Sequence, residues 1–244
     1  MITNFPRKAM IFSAGLGTRF KPWTDTHPKA LAIINGKSLL QRNIEYLQQY
    51  KIYDVVVNVH HFPGQVIDAI ETNKGWGSKF TISDERGELL ETGGGLLQAA
   101  SFLKDEETFI TINADILTDL NLQNLWQYHN EKKSLITFGI TDRKTSRNFL
   151  FDDDSRLCGW ENNLTGERRI SIDKPSLKPM AYSCVVLFEQ AIFNLIPQRG
   201  KFSLVDTYLS LANEYLIYGY DHSGDNLVDV GKPESVAIAE KYFF

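Results

Sequence analysis

Apolar residues in the first 140 positions follow two alternating patterns. Short continuous apolar runs at 9–12, 55–59 and 109–112 predict strands that are buried on both faces of a sheet. Between these runs, at 39–47 and 66–70, apolar residues recur at the spacing of one helix face. Strands that alternate with helices in this way predict a mostly parallel sheet that is flanked by helices.

Local start and turn signals support these elements. Ser38 precedes the first helical pattern and is a typical N-cap, and Pro63 is a typical first residue of a helix. The pair Asn35 and Gly36 predicts a hairpin turn. Further strands are predicted at 80–82 and 135–140, and further helices at 96–103 and 122–128.

The pattern changes after residue 140. Two short apolar runs flank the polar residues 152–154, which predicts an antiparallel hairpin over 149–160. No low-complexity linker separates this region from the rest, so we expect one α/β domain over 1–244 with a small antiparallel insertion. The remaining predicted elements are a strand at 182–188, helices near Ile192 and at 204–211, and a closing helix that begins at Pro233.

The composition is that of an ordinary soluble globular protein. Of the 244 residues, 43% are hydrophobic and 23% are charged, which excludes a disordered or collagen-like chain. The net charge of −4 argues against a protein that binds nucleic acid. Two cysteines are too few for a disulfide framework or a cysteine-based zinc site. No apolar stretch is long enough to cross a membrane and no signal peptide is evident, so we expect no membrane contact and a cytoplasmic location.

A glycine loop follows the first predicted strand. Gly15 and Gly17 allow backbone N–H groups to approach phosphate oxygens, and Arg19 adds a planar, permanently charged donor. Lys29, which follows Pro28 in a predicted loop, supplies a second cation. This combination is typical of a site for the triphosphate of a nucleotide.

Two other phosphate-binding motifs do not fit the sequence. Residues 36–38, Gly-Lys-Ser, end like a P-loop, but the glycine that a P-loop requires five positions earlier is Leu31. A dinucleotide-binding loop requires a third glycine where Phe20 stands. We therefore interpret residues 36–38 as a hairpin turn followed by a helix cap.

Four motifs, in order and spacing, resemble those of sugar-1-phosphate nucleotidylyltransferases. They are Ser-Ala-Gly-Leu-Gly-Thr-Arg-Phe-Lys-Pro-Trp-Thr at 13–24 with His-Pro-Lys-Ala-Leu at 27–31, Leu-Glu-Thr-Gly-Gly-Gly at 90–95, Asn-Ala-Asp at 113–115, and Val-Asp-Val-Gly at 228–231. Enzymes of this family join a nucleoside triphosphate to a sugar 1-phosphate and release pyrophosphate. The resemblance implies their Rossmann-like, nucleotide-diphospho-sugar transferase fold. It also implies a nucleotide-binding part at 8–140, a sugar-binding part at 141–232 and a closing helix at 233–244.

The resemblance also suggests the substrates. The Leu-Glu-Thr-Gly-Gly-Gly string and the short length most resemble N-acetylmuramate-1-phosphate uridylyltransferases, which implies UTP and N-acetylmuramate 1-phosphate. Mannose-1-phosphate guanylyltransferases are the second closest group. The base cannot be derived from the residues themselves, because the expected base contacts come from the backbone.

A set of nucleotide-binding residues follows from the same resemblance. Arg19 is expected to hold the β- and γ-phosphates and Lys29 to lie near the α-phosphate, so both are predicted to be catalytic. Gly93 and Gly94 have no side chains, which is expected to let the base lie against the backbone; the alternative is a helix N-terminus that needs close packing. The remaining predicted nucleotide contacts are Ala14, Gly15, Gly17, Thr18, Glu91 and Thr92.

Two acids at strand ends are candidate metal ligands. Asp115 follows the apolar run 109–112, and Asp229 follows Leu227 and Val228. A single aspartate at such a position is often a turn former or a helix cap. Mg²⁺, however, commonly takes one or two carboxylates together with phosphate oxygens and water. With the family resemblance, Asp115 and Asp229 are predicted to hold one Mg²⁺.

The sugar side of the site is predicted in less detail. The resemblance implies contacts to the sugar phosphate from Asn113, Ser183 and Lys174, the last lying in an Asp-Lys-Pro motif at 173–175. Cys184 stands where the family usually has glycine, which leaves the shape of the sugar pocket open.

Two other classes of function were compared with this prediction. A non-catalytic nucleotide-sugar sensor of the same fold would be favoured by loss of Arg19, Lys29 or either acid, and all four residues are present. A glycosyltransferase of related architecture would hold its metal with Asp-x-Asp, but the first position here is Asn113.

Overall fold

The computed structural model describes residues 4–244 as a mixed sheet with helices on both faces. The strands are β1 (Lys8–Phe12), β2 (Ile33–Ile34), β3 (Lys37–Ser38), β4 (Asp54–Val59), β5 (Lys79–Asp84), β6 (Thr108–Asn113), β7 (Ile116–Thr118), β8 (Ile136–Thr141), β9 (Arg147–Phe151), β10 (Leu157–Asn162), β11 (Glu167–Ile170), β12 (Lys178–Glu189), β13 (Ile217–Asp221) and β14 (Leu227–Asp229).

The α-helices lie between these strands in the chain. They are α1 (Leu39–Gln49), α2 (Pro63–Thr72), α3 (Glu91–Gln98), α4 (Ala100–Leu103), α5 (Leu122–Lys132), α6 (Ile192–Leu195), α7 (Leu204–Leu211) and α8 (Glu234–Tyr242). Short 3₁₀ turns occupy Thr18–Phe20, Trp23–Asp25, Lys29–Leu31 and Lys74–Gly77.

The main sheet has ten strands in the order β11-β10-β9-β12-β6-β1-β4-β5, with β8 beside β12 and β13 beside β8. Strands β6, β1, β4 and β5 run parallel, and β13 runs parallel to β8. Strand β12 is antiparallel to β6, β8 and β9. The predicted fold class is confirmed, including the small antiparallel insertion formed by β9, β10 and β11.

The central strands are continuously apolar because both of their faces are buried. In β1, Met10 belongs to one core cluster, while Ala9 and Ile11 belong to the other. The first cluster packs the sheet against α3, α4, α6 and α7, and the second packs it against α1, α2 and α5. This arrangement fixes β1, β4 and β6 rigidly, so that the loops at their carboxyl ends start from defined positions.

A second, two-stranded sheet pairs β7 with β14 in antiparallel register. Val228 and Val230 pack with Ala239 of α8 in a third, smaller core cluster. Through this sheet the end of the chain returns to the segment that follows β6.

Most predicted boundaries agree with the structure. Ser38 caps α1, its Oγ accepting a hydrogen bond from the Gln41 N–H at 3.1 Å, and Pro63 begins α2. The helix predicted at 96–103 is instead divided between α3 and α4, with Ala99 as the C-cap of the first helix and the N-cap of the second. Within residues 4–244, no helix is both long and apolar enough to span a membrane.

Candidate active site

The site lies where β1 and β6 end, at the carboxyl edge of the parallel strands. The backbone N–H of Ala114 donates to the carbonyl oxygen of Phe12 at 3.0 Å, so the segments that follow the two strands stay adjacent. Asn43 of α1, which is fully buried, donates to the carbonyl oxygen of Ala114 at 3.0 Å. The glycine loop and the Asn-Ala-Asp motif therefore start side by side, as expected for a ligand site in an α/β sheet.

The glycine loop is held in a compact form by Gly17. Gly17 has φ +60°, a left-handed conformation that glycine adopts without steric cost. A Cβ at this position would lie 2.9 Å from Cγ2 of Thr24 and 3.1 Å from Cβ of Lys29. Because Gly17 has no side chain, the loop can close directly over the stem of Lys29.

Lys29 and Asp115 form an ion pair at the centre of the edge. The ammonium Nζ contacts Oδ2 of Asp115, and the two side chains are only 15% and 18% exposed. Lys29 lies in a 3₁₀ turn after Pro28, and Asp115 lies two residues after the end of β6. The two predicted residues are therefore brought together, and Lys29 is held at the acid by the ion pair.

Asp229 reaches the same edge through the small sheet. In the β7–β14 ladder, Asp229 is paired with Ile116, the neighbour of Asp115, and the Val230 N–H donates to the Asp115 carbonyl oxygen at 2.8 Å. The Oδ1 atom of Asp229 is buried without a hydrogen-bond partner among residues 4–244. A buried carboxylate oxygen without a partner is costly, so this oxygen is a candidate ligand for an ion.

Gly231 has no side chain and so leaves room for Arg19 beside Asp229. A Cβ on Gly231 would lie 2.7 Å from Oδ1 of Asp229 and 2.8 Å from Nη2 of Arg19. The glycine of the Val-Asp-Val-Gly motif therefore leaves room for the guanidinium group. The side chain of Arg19 is otherwise exposed, so the structure brings it to the mouth of the site.

The acidic residues fit a metal that uses few protein ligands. No group of three or more His, Cys, Asp or Glu side chains placed to hold a metal occurs in the described part of the chain. Asp115 and Asp229 supply two carboxylates from adjacent segments, which suits Mg²⁺ completed by phosphates and water. In this pair of acids, Oδ1 of Asp229 is the oxygen that is free to coordinate a metal.

Two neighbouring cavities open at this edge and share Phe12, Gly15 and Thr92 in their walls. The first has a volume of about 130 Å³ and contains Lys29, Asn113 and Asp115 in its lining. The second has a volume of about 270 Å³ and is lined by Phe12, Ala14, Gly15, Asn58, Leu89, Glu91, Thr92 and Ser203. Lys29 and Asp115 thus line the first cavity, and Ala14, Glu91 and Thr92 line the second.

The three glycines at the start of α3 are packed against protein rather than open. A Cβ on Gly93 would overlap the ring of Phe202 and lie 2.9 Å from its carbonyl oxygen, and that oxygen accepts the Gly93 N–H at 2.9 Å. A Cβ on Gly94 would overlap the carbonyl oxygen of Gly200. The glycines therefore allow the 200–203 segment to pack closely against α3. Glu91 and Thr92 lie beside the second cavity, but Gly93 and Gly94 do not line it.

A buried polar network that the sequence analysis missed lies behind the nucleoside cavity. Asn58, at the end of β4, accepts the Ser13 N–H at 2.7 Å and donates to Oε1 of Glu85 at 2.7 Å. The second carboxylate oxygen of Glu85 accepts the Leu90 N–H at 3.3 Å. Burial raises the pKa of Glu85, although Asn58 and the Leu90 N–H oppose the shift. The network joins the glycine loop to the 85–92 loop, and in the sequence Glu85 is not distinguished from its charged neighbours Asp84 and Arg86.

Strand β12 contains a bulge next to the two acids. Cys184 has φ +57° and lies where the β12–β8 register shifts. Burial raises the pKa of its thiol, and the charges of Asp115 and Asp229 raise that pKa further. The left-handed backbone explains why the family usually has glycine at this position.

Ser183 does not present its side chain to the site. It is fully buried, and its Oγ is hydrogen-bonded to Nε2 of His222 at 2.6 Å. Burial lowers the pKa of His222, while the nearby carboxylate of Asp225 opposes the shift. The hydroxyl of Ser183 is thus used inside the fold, to tie the β12 bulge to the segment after β13.

Lys174 also lies away from the charged edge. Its Nζ is 3.8 Å from Oδ2 of Asp152, in the turn between β9 and β10. The same turn is attached to the β13 edge of the sheet through the bridge between Arg156 and Tyr218. In strand order, β13 is separated from β6 by β8 and β12. The structure thus brings together Arg19, Lys29, Asn113, Asp115 and Asp229, but not Lys174 or the hydroxyl of Ser183.

Comparison with known proteins identifies a family and several relatives of this chain. The nucleotidyl transferase family model matches residues 8–153. The chain is 36% identical to N-acetylmuramate alpha-1-phosphate uridylyltransferase of Caulobacter vibrioides, over 98% of each chain. It is 26% identical to mannose-1-phosphate guanyltransferase 2 of Candida glabrata, over 93% of this chain and 62% of that protein. Among solved structures, HddC from Yersinia pseudotuberculosis complexed with GMP-PN has a TM-score of 0.77 at 21% identity, over 98% of this chain and 100% of that one.

Proposed function

Since the chain belongs to the nucleotidyl transferase family, we propose that it transfers the nucleotidyl group of a nucleoside triphosphate to a sugar 1-phosphate. We further propose UTP and N-acetylmuramate 1-phosphate as its substrates. The uridylyltransferase relative, which is similar over 98% of both chains, supports this choice over guanylyl transfer.

One observation carries the proposal. Lys29, Asp115 and Asp229 come from three separate segments of the chain and meet at the carboxyl edge of the sheet. A cation and two acids placed together at such an edge are suited to a reaction between highly charged phosphates.

The reaction needs no strong base, because the attacking phosphate is already ionised. An oxygen of the sugar phosphate forms a bond to the α-phosphorus, and the bond from the α-phosphorus to the oxygen that bridges it to the β-phosphorus breaks. Pyrophosphate leaves with that bridging oxygen and its electron pair. Catalysis then consists of positioning the two phosphates and neutralising their charge.

The residues of the site divide this work. Lys29 exchanges its ion pair with Asp115 for the α-phosphate, and Arg19 holds the β- and γ-phosphates at the mouth of the site. Asp115 and Asp229 would hold Mg²⁺. When it is bound, Mg²⁺ neutralises and orients phosphate oxygens.

The nucleoside occupies the cavity of about 270 Å³ beside the glycine loop. Thr92, whose Oγ1 accepts the Leu204 N–H at 3.0 Å, holds the wall of this cavity against α7. The Glu85–Asn58 network keeps the facing loop in register with Ser13. The base therefore meets a surface that is organised before it binds.

The test is pyrophosphate release in the presence of Mg²⁺. It crosses UTP, GTP, CTP and dTTP with the 1-phosphates of N-acetylmuramate, N-acetylglucosamine, mannose and glucose. The expected result is turnover with UTP and N-acetylmuramate 1-phosphate that disappears when either the sugar phosphate or the metal is omitted. Turnover with GTP and mannose 1-phosphate would instead identify a guanylyltransferase.

The same experiment separates an enzyme from a sensor. If no pair releases pyrophosphate while calorimetry detects UTP binding, the proposal of catalysis is contradicted and a nucleotide-sugar sensor is favoured. If neither turnover nor nucleotide binding occurs, both functions are contradicted.

A further inference from the structure

The proposed reaction leaves one charge without a protein partner. The incoming sugar phosphate brings a second anionic group next to the α-phosphate, while Lys29 and Arg19 serve the triphosphate. Lys174 is paired with Asp152 at the β13 edge, and the hydroxyl of Ser183 is buried against His222. Neither residue is placed to receive the incoming phosphate.

Arg143 lies where such a group is needed. Strand β8 runs parallel to β6, since both are antiparallel to β12, and Thr141 at its end is paired with Ala181. Arg143 follows two residues later and reaches back over β12, where its Nη2 donates to the carbonyl oxygen of Tyr182 at 3.0 Å. Its guanidinium group therefore lies next to the bulge at Cys184, on the same edge as Asp115.

The charges around Cys184 indicate the same neighbourhood. Asp115 and Asp229 raise the pKa of this thiol, and Arg143 and Lys29 lower it. The two cations and the two acids thus surround one side chain. Since Lys29 is already paired with Asp115, Arg143 is the remaining positive charge in this group.

Arg143 is also incompletely satisfied. No carboxylate within residues 4–244 lies within 4.0 Å of its guanidinium nitrogens, and its Nε is buried without a hydrogen-bond acceptor. A guanidinium group has five N–H donors in a planar fork that matches two oxygens of one phosphate. A buried donor without an acceptor usually marks the place of a missing ligand or water.

We propose that Arg143 binds the phosphate of the sugar 1-phosphate and aligns it with the α-phosphorus. The inference rests on the proposed function. The hydrogen bond to Tyr182 fixes the guanidinium plane, and the remaining donors face the anion. Lys29 and Arg143 then hold the two reacting phosphates from different segments of the chain, and the bulge of β12 lies between them.

The test uses the full chain and the substrate pair that the wild-type protein turns over. Arg143→Ala is expected to raise KM for the sugar 1-phosphate by about 10-fold to 100-fold, the range for a lost charged hydrogen bond. KM for the nucleoside triphosphate is expected to stay within about twofold. Arg143→Gln, which keeps a donor for the Tyr182 carbonyl but removes the charge, should show most of the loss, and Arg143→Lys should recover part of the affinity.

Lys144→Ala is the matched control, since Lys144 is the adjacent, exposed cation of the same loop. It is expected to leave both KM values unchanged.

A second measurement titrates N-acetylmuramate 1-phosphate into protein that holds UMPNPP, the α,β-imido analogue of UTP. Arg143→Ala should weaken this binding by the same factor, without weakening binding of the analogue.

The outcomes separate the two proposals. If the wild-type protein turns over a sugar 1-phosphate and Arg143→Gln does so with an unchanged KM, the role of Arg143 is contradicted and the proposed function stands. An equal loss for both substrates, with a lowered melting temperature, would make Arg143 a structural residue and also overturn the inference. If the wild-type protein neither binds nor turns over any sugar 1-phosphate, the proposed function fails and the inference fails with it.

Discussion

Asp229 illustrates how a single residue is prepared for a ligand at a cost to stability. Its Oδ1 is buried and has no hydrogen-bond partner in the described part of the chain, whereas Asp115 has Lys29. Leaving a buried acceptor without a partner costs about 1–3 kcal/mol, and more when it is charged. This free-energy cost is offset when a cation binds at that oxygen.

Asp229→Asn tests this interpretation. It should lower kcat at least about 100-fold, the scale for loss of one electrostatic contact to the transition state. The melting temperature should stay the same or rise, because a neutral amide is cheaper to bury than an unpaired carboxylate. Initial rates across an Mg²⁺ series and a calorimetric scan measure the two effects.

The control is Asp153→Asn, which removes an exposed carboxylate from the turn after β9. It should leave kcat and the Mg²⁺ dependence unchanged. Full activity of Asp229→Asn would eliminate the metal assignment, and a large loss of melting temperature would show that the carboxylate serves the fold.

Residue types that carry charge at strand ends were the easiest to identify from the sequence. Arg19 and Asp115 each follow an apolar run within a short distance, so their position at the sheet edge follows from periodicity. Lys29 lies farther from its strand and was identified from the loop after Pro28 and from the family motif. Arg143 and Glu85 were missed, because a charged residue with charged neighbours in a polar loop looks like a solvated one. Their importance appears only when tertiary contacts show that Glu85 is buried and that Arg143 crosses β12.

At the scale of elements, the start of α3 depends on its contact with the 200–203 segment. The contact is so close that Gly93 has no room for a methyl group beside Phe202. This segment follows α6 in the chain, yet it covers the helix that walls the nucleoside cavity. The glycine motif was expected to face the base, with close packing of a helix N-terminus as the alternative. The partner segment of that packing could not be predicted because it is distant in sequence.

Gly93→Ala should therefore destabilise the protein by about 1–3 kcal/mol, as overpacking does, and lower its melting temperature by several degrees. KM for the nucleoside triphosphate should rise, because the wall of the cavity is displaced. The double variant Gly93→Ala/Phe202→Ala, which removes the ring, should lose less stability than the sum of the losses in the two single variants. Thermal unfolding and steady-state kinetics of the three variants measure these effects.

Gly87→Ala is the matched control for Gly93→Ala. A Cβ on Gly87 would meet no atom within 4 Å, and its backbone does not have positive φ. Stability should be unchanged or slightly higher. Additive losses in the double variant would contradict the assigned contact between Gly93 and Phe202.

The β12 bulge depends on a second element contact, the buried hydrogen bond between Ser183 and His222. Burial lowers the pKa of His222 from the ordinary value of 6.5. The unfolded chain therefore binds a proton here more readily than the folded chain does, so stability rises with pH in this window. The contribution of neutral His222 to the free energy of unfolding is complete above about pH 6.5, and it is lost as the pH falls towards the lowered folded-state pKa.

His222→Gln should make the melting temperature less dependent on pH below about 6.5, since this proton uptake is removed. The measurement is the melting temperature between pH 5 and 8. His27→Gln, in which an exposed histidine is removed, serves as the comparison. A slope that is as steep in His222→Gln as in the wild-type protein would contradict the assignment.

At the scale of the whole molecule, the parallel half of the sheet was predictable and the antiparallel half only in outline. Strands β1, β4 and β6 are buried on both faces, so most of their residues are apolar. Strand β13 was not predicted, because its alternating residues Ile217, Tyr218, Gly219 and Tyr220 form a weak pattern beside an apolar helix. The small sheet of β7 and β14 was missed as a pair, since three-residue strands have almost no periodic signal.

The stability of the molecule should not depend on a metal. The core clusters are apolar, and no cluster of three or more metal ligands occurs within residues 4–244. Chelation with EDTA should abolish turnover and leave the melting temperature of the free protein within about 1 °C. UTP with Mg²⁺ at about a hundred times its Kd should raise the melting temperature by about 5 °C, and UTP with EDTA should raise it less.

A drop in melting temperature on chelation alone would indicate a structural metal and contradict this expectation. Equal stabilisation by UTP with and without Mg²⁺ would contradict joint binding of metal and triphosphate at Asp115 and Asp229. CaCl₂ in place of MgCl₂ controls for a general effect of divalent ions on stability.

The pairing of β7 with β14 also determines when the enzyme becomes competent during its synthesis. Asp115 and Asp229 are separated by residues 116–228, and the Val230 N–H holds them together through the Asp115 carbonyl oxygen. At translation rates of 5–20 residues per second, Asp229 is made about 6–20 s after Asp115. During that interval a nascent chain has its glycine loop and Lys29 but an unpaired β7. Turnover is therefore expected only after the last of the four motifs has joined the sheet.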